Sequence, residues 1–395
     1  MRFLLIFLIA LRAVYAITLD QALELGKARA SKLRLSELEI KRLEQEIRKI
    51  RAGILPQVRS QASMSYIFEN SRTIREFSIS AEQAVFNLSA LEALRLARDQ
   101  KELEELIFQD ISREIQKQVR ILFFSALLRK ELLNLSIENK KYWEENLRFV
   151  EAKFSAGILP KAELLRARAE LSKANAEFER AKDEYESSLR NLGALLKTEV
   201  TEVSGNLSFE TLEARDFEKE LLNNNSTLKV GIKKIELAKA AVGFQKSRYY
   251  PSVSALFSYL NSSSNLRQSD GFSFQLRLNA DIFDGFAKDA SVAQANIEVL
   301  KQIESFEDLK LELLTKLRNS LGNLKAVSAR IDAIDKALDA ANEALRLSTE
   351  RYRFGITNQL EVLEARRNLN QIKSERLFAL YEYQLALSEI IRLTR

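Results

Sequence analysis

The 395-residue chain contains no histidine and no cysteine, and only three prolines, eleven glycines and one tryptophan. Without histidine or cysteine it lacks the side chains that most often act as general base, thiol nucleophile or transition-metal ligand near neutral pH. Its many glutamates are joined by neither a histidine nor a glycine-rich phosphate loop, so there is no catalytic constellation. No enzyme activity, metal ligand or cofactor is expected. The missing cysteine also rules out a lipid-modified N-terminal cysteine as a membrane anchor. No stretch reaches the roughly 20 apolar residues that a membrane-spanning helix needs. The formal charge of +6 is mild, and Lys and Arg alternate with Glu instead of gathering in a patch, so nucleic acid is not an expected partner.

Apolar and charged residues are both plentiful. Hydrophobic residues make up 46% and charged residues 29% of the chain, enough for a sizeable core and too apolar for a disordered chain. The first residues, MRFLLIFLIALRAVYA, carry Arg2, an apolar run from Phe3 to Leu11 and a Val14-Tyr15-Ala16 ending. That pattern reads as an export signal cut after Ala16, with Arg12 interrupting the apolar run. Between Asn87 and Ala156 there is neither Gly nor Pro, and a continuous helix over such a stretch would be about 100 Å long at 1.5 Å per residue. Within it Ile107, Ile111, Ile115, Val119, Leu122 and Ala126 recur near the helical period, so one apolar stripe faces a neighbour and the other faces are wetted. A second run of this kind extends from Ala287 to Phe354, interrupted only by Gly322.

The chain also repeats itself. KFSAGILPKAELLRARAEL (153–171) matches RYRFGITNQLEVLEARRNL (351–369), setting Gly157 against Gly355, Ile158 against Ile356 and Glu163 against Glu361. Upstream, Pro56 matches Pro251 and Phe86 matches Phe283. The expected organisation is two tandem repeats, 17–197 and 217–395, with a connector at 198–216. Each repeat holds two runs that alternate apolar and polar residues. In the first, Val58, Ala62, Met64 and Tyr66 alternate with Arg59, Gln61, Ser63 and Ser65, and Phe77, Ile79 and Ala81 with Ser78, Ser80 and Glu82. In the second, Val253, Ala255, Phe257 and Tyr259 alternate with Ser252, Ser254 and Ser258, and within FSFQLRLNADIF (272–283) the alternation runs without exception from Phe272 to Ile282. Strand pairs are expected at about 57–68 with 77–86 and 251–260 with 272–283, linked by the polar stretches 69–76 and 261–271. Strands of this length cross a membrane when tilted. Tyr66, Phe68, Phe86, Tyr249, Tyr250 and Phe283 at their ends suit an aromatic girdle. Four strands cannot close a barrel, and an open edge cannot sit in lipid. Two hairpins packed on helices in a soluble protein is the plainer reading of the alternation, and a secreted soluble helical scaffold or periplasmic adaptor-like assembly protein is the alternative function. Asp281-Ile282-Phe283-Asp284-Gly285 lacks the ligand spacing of a calcium loop and reads as a strand-to-helix turn.

Taken together, the duplicated signature, the matching strand pairs and the Phe283-Asp284-Gly285 turn resemble the TolC-like outer-membrane efflux proteins. The resemblance implies a mainly α fold with a β-barrel portion. Three copies would share a 12-stranded transmembrane β-barrel, four strands per chain, continuous with a long periplasmic α-helical barrel. It implies a passive exit duct in the cell outer membrane, with the helical part in the periplasm. Its partners would be outer-membrane lipid, a periplasmic adaptor (membrane fusion) protein and an inner-membrane pump of RND or ABC type. Carried over position by position, Gly157, Ile158, Leu159, Gly355 and Ile356 would be the tips met by the adaptor. Glu163, Tyr352, Arg353, Glu361 and Glu364 would form the periplasmic gate. Rings of such acids in a trimer would favour cations. Thr357 departs from the family, standing where a gate-locking arginine is found; Arg353, Lys161 or Arg166 could take over that bridge. The duplication distinguishes this reading from an adaptor, which has a single hairpin.

Overall fold

The computed structural model describes residues 16–70, 72–209, 215–264 and 268–395. The export signal up to Tyr15, the middle of the connector and the tips of both strand-pair links lie outside them. The elements run in chain order as α1 (Leu19–Arg29), α2 (Ser31–Ala52), β1 (Gln57–Ile67), β2 (Arg72–Phe86), α3 (Leu88–Ser155), α4 (Lys161–Leu196), α5 (Phe217–Asn224), α6 (Ser226–Ser247), β3 (Ser252–Ser264), β4 (Gln268–Asn279), α7 (Ala287–Arg353) and α8 (Gln359–Thr394). They form two compact units. One holds the described residues up to Leu33 with Ile111–Asn225 and Leu313–Arg395; the other holds Arg34–Asp110 and Ser226–Glu312.

In the second unit the four strands form one antiparallel sheet in the order β1-β2-β3-β4. Residues directly opposite one another share a face, so register decides whether the apolar alternates of separate strands meet. They do. Val58 faces Ala81, Ala81 faces Phe257 and Phe257 faces Phe274; two residues along, Ile79 faces Tyr259 and Tyr259 faces Phe272. The Phe272 ring stacks on Phe257 at 5.8 Å between centroids. On the other face Arg59 lies opposite Ser80, Ser80 opposite Ser258 and Ser258 opposite Ser273, and the last two join their hydroxyls at 2.8 Å. The sheet therefore has one apolar and one polar face. Val58, Met64, Phe272, Phe274, Leu276 and Leu278 on the apolar face are exposed to solvent.

Two strand boundaries differ from those the alternation implies. Strand β2 starts at Arg72 instead of 77 because Arg72–Glu76 continue backbone pairing with Ser63–Ile67 of β1, which polar side chains do not interrupt. Strand β4 spans Gln268–Asn279 instead of 272–283. Its last residue pairs with Ser252, the first of β3, and the residue before that is Pro251, which has no N–H to offer a ladder. Residues 280–283 have nothing to pair with, and the alternation there is not a strand.

Helices complete each unit. In the second, α6 approaches α7 so closely at Gly231 that an added Cβ would lie 2.7 Å from the Phe306 ring. Lys233 on α6 reaches Asp99 (3.0 Å) and Glu102 (2.6 Å) on α3. In the first unit the buried stripe of α3 is Ile115, Val119, Phe123 and Leu127. Leu122, expected in that stripe, is only half-buried, and Phe123 and Phe124 take the interior. The cause is α1, which lies against this face: an added Cβ at Gly26 would meet Val119 at 2.7 Å and Ile115 at 3.7 Å.

Candidate functional site

Two helix reversals, both in the first unit, carry the matched signatures. At the first, α3 ends in a Schellman-type turn. Ile158 N–H donates to Lys153 O (2.9 Å) and Gly157 N–H to Phe154 O (2.9 Å), with Gly157 in the left-handed region at φ +73°. Pro160 stands at the N-cap of α4 with no side-chain cap bond. Leu159, just before that cap, packs on Leu164, four positions into the helix, in a cluster with Val150 and Ala167. This is a hydrophobic staple that fixes the entry angle of the chain. Glu163 accepts two hydrogen bonds from Arg166 Nη1, at 3.0 and 3.3 Å.

The second reversal repeats the backbone. Ile356 N–H donates to Arg351 O (2.8 Å) and Gly355 N–H to Tyr352 O (3.1 Å), with Gly355 at φ +74°. The side chains differ. Asn358 caps α8 by accepting from Glu361 N–H at 3.3 Å, and Thr357 replaces the stapling leucine. Its hydroxyl donates to Glu361, which also accepts from Arg351 Nη1 (2.9 Å) and Ser348 Oγ (3.4 Å). Thus three donors converge on the Glu361 carboxylate.

Between the turns, the Tyr352 ring meets Phe149 of α3 at 6.3 Å. Lys153 Nζ lies 4.5 Å from the Phe149 centroid and 5.7 Å from that of Tyr352, a cation held over two ring faces. Burial pushes the Tyr352 hydroxyl pKa up, and the charge of Glu163 adds to the effect. Below, Arg367 of α8 donates to Glu170 of α4 at 2.6 Å, and Gln359 Nε2 donates to Asn146 Oδ1 of α3 at 2.9 Å. These bonds tie α8 to both helices of the first reversal.

The structure thus brings Glu361 together with Arg351, Ser348 and Thr357, and places Tyr352 within electrostatic reach of Glu163. It does not bring Arg353 or Glu364 to any ion pair among the described residues; both are exposed. Ile158 and Ile356 project into solvent at 66% and 67% exposure, whereas Leu159 is half-buried in the staple. Arg351 and Ser348 escaped sequence reasoning. They stand 10 and 13 residues from Glu361 across a turn, and only local helical spacings of three or four can be read in advance. With no group of three or more His, Cys, Asp or Glu placed to hold a metal among the described residues, the arrangement offers charge, aromatic faces and exposed isoleucines.

Comparison with known proteins assigns the fold. The family model described as outer membrane efflux protein matches residues 22–197 and again 218–394. Nodulation protein T of Rhizobium leguminosarum bv. trifolii is 22% identical over 274 residues, 66% of this chain, and the aligned region spans 58% of that relative's length. Among solved structures, CusC superposes with a TM-score of 0.84 at 18% identity, covering 95% of this chain and 91% of its own. The MtrE outer membrane channel of Neisseria gonorrhoeae, in its open state, superposes with a TM-score of 0.81 at 19% identity, covering 95% and 88%. The family model matches twice, accounts for most of the residues and divides them into two similar halves, as the repeated turns do: the chain belongs to the outer membrane efflux protein family, the TolC-like channels.

Proposed function

We propose that this chain is the outer-membrane exit duct of a tripartite efflux or secretion system, passive in itself and opened at its periplasmic end by an adaptor and an inner-membrane pump. The observation that carries this reading is the sheet. It has one continuous apolar face, and its outermost strands, β1 and β4, each have a strand partner on one side only. An open edge is not tolerated in lipid, and single-chain barrels begin at about 8 strands. Three copies joined β4 to β1 would close a twelve-stranded barrel with the apolar face outward and the serine-rich face lining water. The soluble-scaffold alternative leaves the exposed apolar face without a purpose.

In this reading the two reversals are the periplasmic tips. Ile158 and Ile356 are the apolar contacts offered to an adaptor hairpin, Gly157 and Gly355 set the turns, and Leu159 works from within as the staple. Glu163, Tyr352, Arg353, Glu361 and Glu364 form the gate, with the acids in distinct roles. Glu361 is engaged by Arg351, Ser348 and Thr357, a local lock in place of the arginine that Thr357 replaces. Glu364 is left to present charge to the lumen. The first test is the mass of the detergent-solubilised particle from the membrane fraction: three chains are expected, and a monomer released without detergent would overturn the duct. In planar bilayers, Glu364→Gln should lower cation preference more than Glu361→Gln does, since charge rings set selectivity. Equal effects would remove this division of roles.

A further inference from the structure

Folding gathers positive charge that the chain order disperses. Within the first unit, Arg113, Lys117 and Arg120 lie four and three residues apart along α3, and Arg392 and Arg395 lie three apart on α8, so each set shares a helical face. These five cations line one groove of about 290 Å³ between the two helices, and among the described residues no acid lines it with them. Two acids beside the groove answer part of the charge. Glu114 accepts from Arg392 Nε at 3.3 Å and pairs with Lys117 at 3.4 Å, and Glu389 pairs with Lys117 at 3.0 Å and Lys316 at 3.3 Å. Arg113 donates to Asn224 O at 3.4 Å.

Arg120 and Arg395 are different, since neither forms an ion pair among the described residues. Arg120 is half-buried. Burial and the like charge of Arg395 hold its guanidinium below the ordinary pKa, and the opposing charge of Asp20 is outweighed. A partly desolvated arginine set near a second arginine is an electrostatic cost that the fold carries without an internal partner. The C-terminal end of α8 offers the equivalent of about half a negative charge, too little to balance two guanidiniums. A small anion in the groove would balance them.

We propose that this groove is a binding site for a phosphate-type dianion, free or borne on a small phosphomonoester, held between Arg120 of α3 and Arg395 of α8. Charge and shape select the ligand. Two guanidiniums without an ion partner call for two negative charges, close to what a phosphate monoester bears at neutral pH, and the planar guanidinium fork matches phosphate oxygens. A groove of about 290 Å³ is at the small end of ligand sites and admits a small molecule, not a length of polyanion. Bound there, the anion would bridge α3, which ends at the first reversal, to α8, which begins at the second. The site lies within one unit and does not depend on the sheet spanning a membrane.

Titration calorimetry on the purified full-length protein in detergent provides the test, with inorganic phosphate and glycerol phosphate as probes and chloride holding the ionic strength constant, so that screening is equal throughout. Saturable binding at one site per chain is expected, and Arg120→Gln and Arg395→Gln should each weaken it roughly tenfold or more. Arg395 is exposed, so its variant decides the matter should Arg120→Gln fail to fold. Arg190→Gln, which removes an exposed cation of α4, should leave the affinity unchanged. Glycerol phosphate binding alone would support the site and identify a phosphomonoester as its ligand, whereas tighter binding of inorganic phosphate would support it with the free ion. Absence of saturable binding by either probe would overturn the proposal, as would affinity unchanged in both groove variants or reduced as much by Arg190→Gln.

Discussion

The two helix reversals share a backbone and differ in what holds it. Both use a left-handed glycine and a six-to-one hydrogen bond of nearly equal length, 2.9 Å at Ile158 and 2.8 Å at Ile356. Past the glycine, the first is held by apolar contact, with Leu159 stapled to Leu164 and Glu163 paired only with its neighbour Arg166. The second is held by polar contact, with an asparagine cap and a carboxylate that gathers three donors. A duplicated turn can thus keep its geometry while exchanging an apolar fastening for a charged one, whose attraction salt screens. In the proposed duct, the second reversal is the one expected to be released first when the gate opens.

The largest effect expected tests the shared backbone. Gly157→Ala and Gly355→Ala each meet no neighbouring atom within 4 Å, so the penalty is purely conformational, about 1–2 kcal/mol. Hydrogen exchange at the Ile158 and Ile356 amides should quicken by roughly tenfold or more in both variants, and unequal responses would show that the turns are not backbone equivalents. Next, Asn358→Ala should cost about 1 kcal/mol by removing a side-chain cap. Pro160→Ala removes no cap bond and should change tip exchange much less. A smaller contrast is expected from the acids: both pairs are partly exposed, so Glu361→Gln should weaken its turn by about 0.5 kcal/mol and Glu163→Gln by less. High salt should narrow that gap, read again by exchange.

The smallest effect is one of pH. Burial raises the Glu170 carboxyl pKa, but hydrogen bonds from Arg367 and Lys173 outweigh it and leave the pKa below its ordinary value. A depressed folded pKa contributes stability that is present above the unfolded value near 4.5 and is lost as pH falls through the folded one. The link from α4 to α8 should therefore loosen on acidification, as measured by thermal unfolding between pH 6 and about 3. Glu170→Gln should flatten that dependence.

Much of the fold was legible because its signals are additive along the chain. The glycine- and proline-free stretch from Asn87 to Ala156 is α3 to within a residue at each end. Gly322 did not divide α7, since one glycine costs a helix only about 1 kcal/mol and this helix has 67 residues to absorb it. Strand ends were less legible because pairing belongs to the partner backbone: Pro251, not any residue of β4, decides where β4 stops. At the tips, the glycines could be read from conformational need, whereas Arg351 and Ser348 could not, because their distance to Glu361 is closed by the turn and not by helical spacing.

The half-paired strands β1 and β4 have a consequence at the level of the cell's supply of chains. In the proposed duct each subunit completes its sheet by lending an edge to one copy and borrowing one from another, so it depends on the concentration of its own kind, and folding and assembly become a single event. It also makes the assembly only as sound as its worst member. In a closed ring of three, mixing equal amounts of normal chains and chains with a blocked β4 edge would leave roughly one ring in eight free of the defect, so a faulty copy of this gene would be felt even beside an intact one.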